Sequence, residues 1–222
     1  MSRHRSRPPS RRGRPSQPAA KRGARTPGKL RIIGGQFRRR QLPIADSPGL
    51  RPTPDRVRET LFNWLAFELA GGRVLDLYAG TGALGLEALS RGAREAIFVE
   101  SAAPVARTIE DNLATLGIAG RVVDSEVMTF LAGPATPFEV VFLDPPFRQQ
   151  RVAPTCRALE DAGWLSDPAW VYVEQEAQAP VEVPDNWTLH RQVVAGDTHG
   201  RLYRRLASPP GDACRAPDHG VR

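Results

Sequence analysis

Residues 74–85, Val74-Leu75-Asp76-Leu77-Tyr78-Ala79-Gly80-Thr81-Gly82-Ala83-Leu84-Gly85, couple a short apolar run to a glycine loop with the spacing GxGxxG. Such a loop turns the chain from a strand into a helix and brings the helix N-terminus close to a ligand. Outward from it the pattern repeats. Strands are predicted at 73–77, 95–99, 120–123, 138–143 and 169–174, and helices at 83–91, 103–116, 126–132 and 150–162. Short apolar strands alternating with crossover helices predict a mostly parallel sheet with helices on both faces. The C-terminal part breaks the alternation: 187–194 and 201–206, joined through 195–200, predict an antiparallel hairpin.

The glycine loop by itself admits a dinucleotide, with Glu100, at the next strand end, on the ribose. Asp76 shifts the balance. It stands four residues before Gly80, at the strand's carboxyl end, and an anion there works against a pyrophosphate on the helix N-terminus. S-adenosylmethionine has no phosphate and carries a cationic sulfonium and an ammonium group, which a carboxylate suits. Gly82 is expected to let the backbone pass close to that cofactor, where a side chain would intrude.

Asp144-Pro145-Pro146-Phe147 follows the strand FEVVFL directly, at the edge of the sheet where ligands bind in such folds. An exocyclic amine on a base is a poor nucleophile because its lone pair is delocalised into the ring. The Asp144 carboxylate and the Pro145 carbonyl can accept its two protons and localise that lone pair. The two prolines hold both acceptors in place beforehand, and Phe147 can stack on an extruded base. This combination points to methylation of a base amine.

N-terminal to this core, LRIIGG and QFRRRQLP predict two short strands turning at Gly34-Gly35. Thr53 is expected to cap a helix entered through Pro54 and Asp55. Val57, Leu61, Trp64 and Leu65 form its core face, with Arg56 and Arg58 free for a partner. The net charge of +7 is uneven. Residues 1–29 hold eight Arg, two Lys and no acid, leaving 21 of the 31 basic residues to face all 24 acids. Residues 30–64 again carry seven Arg against three acids. A polyanion approaching from the N-terminal side is the expectation. Residues 1–29 are expected to be a disordered basic tail, at least a solvated extension and at most an arm with weak nucleic-acid affinity. Residues 208–222 are expected to be a second loose tail.

No apolar run reaches membrane-spanning length, and no apolar segment follows the basic N-terminus as in a secretory signal. Cys156 and Cys214 have no CxxC partner, and the four histidines show no ligand spacing. A cytoplasmic protein without metal or membrane is therefore expected.

With these residues in hand, the chain resembles the RsmD family, bacterial enzymes that methylate N2 of a guanine in 16S ribosomal RNA. The similarity runs from about Leu30 to Leu206. It rests on RIIGGQFRRRQLP (31–43), DSPGLRPTPDRVRETLFNWL (46–65), VLDLYAGTGALGLEALSRGA (74–93), FLDPPF (142–147) and NWTLHRQVVAG (186–196). The resemblance implies a Rossmann-like class I S-adenosylmethionine-dependent methyltransferase fold with a seven-stranded sheet, over a domain at 30–207. Within it, 30–68 would form an RNA-side hairpin and helix and 72–207 the core.

The implied cofactor residues are Asp76, Tyr78, Ala79, Gly80, Thr81, Gly82, Leu84, Glu100, Ser101, Asp124, Glu126 and Val127. Of Asp124 and Glu126, Glu126 is preferred for the adenine amine. Asp144 to Phe147 would grip the guanine, and Arg38, Arg39, Arg40, Arg51, Thr53, Arg56 and Arg58 would face the RNA. The implied partner is 16S rRNA in the small subunit or an assembly intermediate, met by a monomer. Rival expectations are an adenine-N6 methyltransferase, a nicotinamide oxidoreductase, which leaves Asp144 to Phe147 without a role, and a non-catalytic ribosome-assembly factor.

Overall fold

The structure is a computed structural model in which residues 28–47, 50 and 53–207 are described. Both predicted tails, apart from residues 28 and 29, and Arg51 lie outside the described residues. In chain order the elements are β1 (Lys29–Arg31), β2 (Gln41–Pro43), α1 (Asp55–Trp64), β3 (Arg73–Leu77), α2 (Ala83–Ser90), β4 (Glu95–Glu100), α3 (Ala103–Leu116) and β5 (Arg121–Asp124). They continue with α4 (Val127–Leu131), β6 (Phe138–Leu143), α5 (Val152–Asp161), β7 (Leu165–Glu176), β8 (Trp187–Ala195) and β9 (Thr198–Arg205).

Seven strands form one sheet in the order β5-β4-β3-β6-β7-β9-β8. The pairs from β5 to β7 are parallel, and β9 pairs antiparallel with both β7 and β8. Strand alternation divides the core. Val74, Phe98, Val140, Phe142 and Tyr172 pack with α1, α2 and α3, whereas Leu75, Leu77, Val99, Val141, Leu143 and Val171 pack with α4 and α5. The helix-on-both-faces expectation is met. The strand β7 is longer than 169–174, and the final hairpin turns more tightly than predicted, at Gly196-Asp197.

Two N-terminal expectations are corrected. Gly34-Gly35 is not the turn of the first hairpin. β1 and β2 pair across a wider connection, with Ile32 and Arg40 still hydrogen-bonded. The glycines instead let the chain press on the C-terminal end of α2. All eight residues of α2 are buried, so its outer side needs a cover, and residues 32–37 supply it. Ile33 and Gly34 donate their N–H groups to the Glu87 carboxylate at 2.8 and 2.7 Å. Gln36 and Phe37 donate theirs to the carbonyl and hydroxyl of Ser90. A Cβ on Gly35, at φ +72°, would fall on the Ser90 carbonyl. Gly35→Ala is therefore expected to cost roughly 2–3 kcal/mol from overpacking and left-handed strain, read as a lower urea midpoint with an unchanged slope.

The second correction concerns Thr53 and Arg58. Thr53 is buried and makes no side-chain cap; Pro54 occupies the cap position of α1. Arg58 is fully buried rather than free. Its guanidinium donates to the Thr53 carbonyl at 3.2 Å, the Arg31 carbonyl at 2.9 Å and Asp55 Oδ1 at 2.7 Å, and lies 3.6 Å from Glu87. A helical wheel puts Arg58 on the same face as Leu61, Phe62 and Leu65, and what it cannot show are the carbonyls and carboxylates of β1, α1 and α2 that satisfy the guanidinium there.

Candidate active site

The strand β3 lies between β4 and β6. The chain leaves it on one side through β4 and β5 and returns on the other at β6, so the carboxyl ends of β3 and β6 open a crevice at a topological switch point. The glycine loop and the Asp144 turn meet there, although Asp144 lies 61 positions after Ala83 in the chain.

The loop is held by acids rather than by anion-binding geometry. Asp76 is buried beneath α2, and its Oδ2 accepts the Gly85 N–H at 2.8 Å. Burial pushes its carboxyl up to about 8; the Gly85 N–H opposes this and the Glu100 charge adds to it. Glu100 accepts the Gly80 N–H at 2.9 Å on one oxygen and the Ala102 N–H at 2.8 Å on the other. Both oxygens keep a second lone pair for hydroxyl donors.

The expected reason for Gly82 is corrected: a side chain there would point into the core. A Cβ there would sit 3.2 Å from Ile109 and 3.3 Å from Leu86, so the residue is glycine for its φ of +72° and for core packing. Tyr78, also at positive φ, sends its hydroxyl to Thr155 at 3.0 Å. Ala79 and Thr81 are buried, and Leu84 and Val127 are packed into the two cores and expose little side chain. Ser101 and Asp124 are exposed. Glu126 is exposed as well and pairs with Arg151 at 3.2 Å, which ties it to the segment after the Asp144 turn.

Strand register aligns the acids. Asp76 pairs with both Phe98 and Phe142, and Phe142 with Tyr172. Counting in steps of two, Glu100, Asp76, Asp144 and Glu174 all project from one face of the sheet near its carboxyl edge. Glu174 went unread in the sequence. The available signal was that it ends an apolar strand, as Asp76 and Glu100 do. Among the described residues none of these four acids pairs with Lys, Arg or His. Burial, then the charges of Glu174 and Asp76, hold the Asp144 carboxyl well above the usual carboxylate range.

Around Asp144, Pro145 is buried and Pro146 exposed, and Phe147 is 42% exposed, which leaves its ring available for stacking. Arg148 and Gln150 follow at positive φ, with the Arg148 N–H bonded to Glu176. A cleft of about 590 Å³ adjoins the turn, lined among others by Pro145, Pro146, Arg148, Arg151, Arg157 and Gln175. Of the residues expected to face RNA, Arg38, Arg39, Arg40 and Arg56 are exposed, whereas Thr53 and Arg58 are not. No group of metal-ligating side chains occurs among the described residues, and none of their helices is long and apolar enough to cross a membrane.

Comparison with known proteins identifies the family and the fold. The family model described as Conserved hypothetical protein 95 matches residues 30–204. The chain is 54% identical to the Ribosomal RNA small subunit methyltransferase D of Escherichia coli K12, over 84% of this chain and 95% of that protein. It is 42% identical to the protein of the same name from Haemophilus influenzae, over 80% and 94%. Among solved structures, the yhhF protein of Escherichia coli superposes with a TM-score of 0.77 at 53% identity, covering 82% of this chain and all of that one. A 16S rRNA N2-guanine methyltransferase of Thermus thermophilus, solved with AdoMet and guanosine, shares the fold at a TM-score of 0.59 and 18% identity, covering 81% of this chain and 50% of that one.

Proposed function

Because the chain belongs to the RsmD family of small-subunit ribosomal RNA methyltransferases, we propose that it transfers a methyl group from S-adenosylmethionine to N2 of a guanine in 16S rRNA. The observation that carries this is the placement of Asp144 at the switch point, in a row of four carboxylates with no cation paired to them among the described residues. A cationic, phosphate-free cofactor fits such a row, and a pyrophosphate does not. When bound, S-adenosylmethionine supplies an electrophilic methyl group on a positively charged sulfur.

In this reading Asp76 and the 78–82 loop flank the methionine end, and Glu100, already oriented by Gly80 and Ala102, receives the ribose hydroxyls. Glu126, with Asp124 as its alternate, lies toward the adenine. Asp144 and the Pro145 carbonyl accept the two protons of the guanine N2 amine, and Phe147 stacks on the base. The exposed Arg38, Arg39, Arg40 and Arg56, with Arg148, Arg151 and Arg157 around the cleft, offer phosphate contacts that position the RNA without reading its sequence. The substrate would be met in the small subunit or its assembly intermediate.

The test is to incubate the protein with methyl-labelled cofactor and undermethylated small subunits, then digest the RNA to nucleosides. Label in N2-methylguanosine is the expected result. Label in N6-methyladenosine would transfer the same site to the adenine reading, and RNA binding without any label would favour a non-catalytic assembly factor.

A further inference from the structure

Glu174 has no part in the reading above, yet it is one of the few buried charges among the described residues, only 5% exposed. Its place follows from register. In the parallel pair β6–β7, Phe142 faces Tyr172 and Leu143 faces Val173. The next step places Asp144 beside Glu174 on the same face, one strand spacing of roughly 5 Å away. The support behind Glu174 is specific. Tyr172, two residues earlier on that face, donates its hydroxyl to Glu174 Oε2 at 3.0 Å. The Tyr172 ring needs room on the neighbouring strand, and Gly200 of β9, paired directly with Glu174, provides it. A Cβ at Gly200 would collide with the Tyr172 hydroxyl. Three strands thus cooperate to hold one carboxylate against a second, with no counterion between them among the described residues.

Two adjacent carboxylates, Glu174 buried and Asp144 half-buried, oppose each other's ionisation, an arrangement a merely structural role does not require. An amine that acquires a methyl group must lose one N–H proton to remain neutral. Its lone pair forms the new N–C bond, the pair of the broken C–S bond stays on sulfur, and the proton passes to a nearby base.

We propose that Glu174 is a positioning residue for methyl transfer: its charge, held by Tyr172 in the space left by Gly200, makes Asp144 the better acceptor for the amine proton. This rests on the methyltransferase reading. The titratable groups bearing on Asp144 are Glu174 and Tyr172 from β7 and Asp76 from β3, with Glu100 of β4 acting on Asp76 in turn. Burial raises Glu174 as well, and the Tyr172 hydroxyl works in the opposite sense. The two carboxyls therefore titrate as a pair.

The test compares wild type with Glu174→Gln, which is isosteric and still accepts from Tyr172. In the cofactor-free protein carrying 13C-carboxyl aspartate, with Asp144→Asn to identify the signal, wild-type Asp144 should titrate in two steps. Removing the neighbouring charge should leave one step, about one pH unit or more below the upper wild-type midpoint. Single-turnover methylation should slow at its plateau, and its acid limb should move to lower pH by a similar amount, because Asp144 then remains ionised in more acid solution. Cofactor affinity should stay within a few-fold. Glu174→Asp, which keeps the charge, should bring the limb back toward wild type.

Superimposable carboxyl titrations for wild type and Glu174→Gln would overturn the inference. So would a shifted titration with an unmoved acid limb in an active enzyme. A wild type that methylates no nucleoside would defeat the methyltransferase reading instead, and the carboxyl titration would then decide the coupling by itself.

Discussion

Asp144→Ala is expected to slow methyl transfer by on the order of 10²-fold or more, as for loss of one preorganised electrostatic group, while cofactor affinity stays within a few-fold. Asp144 sits one residue beyond the last paired position of β6, beside the crevice rather than under the glycine loop. The backbone N–H groups of Gly80, Gly85 and Ala102 are held by Glu100 and Asp76 and do not depend on it. Hydrogen bonding to the amine strengthens as positive charge develops on the attacking nitrogen, so the loss falls on the transition state. RNA affinity should change little, because phosphate contacts dominate it. Asp144→Asn, which still accepts one hydrogen bond, should fall between. Single-turnover kinetics at saturating cofactor isolate the step. A rate for the alanine variant within about threefold of wild type would reduce Asp144 to a turn residue.

Arg58→Ala should be the most damaging single change outside the crevice, lowering stability by roughly 3–5 kcal/mol. The truncation leaves the fully buried Glu87 with one arginine partner fewer and abandons the Thr53 and Arg31 carbonyls. Asp55 also loses a partner. Burial favours its neutral form, but the hydrogen bonds from Arg31 and Arg58 outweigh that and hold its carboxyl below the usual range. Arg58→Lys keeps the charge but cannot reproduce the planar fork, so an intermediate loss is expected. Chemical denaturation measures both. If Arg58 instead contacted RNA, Arg58→Ala would weaken RNA binding with stability unchanged, and that outcome would reject its structural assignment.

Much of the crevice was legible in the chain because it is written locally. A short, nearly continuous apolar run leads to a polar residue at its carboxyl end, and Asp76, Glu100 and Asp144 each stand at or within one residue of such an end. The two prolines after Asp144 and the glycine spacing after Asp76 are likewise properties of single loops. Position along one element suffices to place these groups at the carboxyl edge, whatever the final strand order.

Glu174, Arg58 and the glycines of the first hairpin are of another kind. Glu174 gains meaning only because β7 lies beside β6, and the antiparallel return of β9 brings Gly200 to make room for Tyr172. Arg58 stands on the buried face of its own helix, in line with Leu61, Phe62 and Leu65, but an arginine shows in the chain as a solvated side chain. β1 and α2 close over it and turn it into a buried tie among three elements. Gly35 presents itself as a turn residue until α2 meets it. Periodicity belongs to one element at a time. What neutralises a charge, and what a missing side chain makes room for, depends on which elements meet, and that was decided by the packing of the N-terminal segment on α2 and by the order of strands in the sheet.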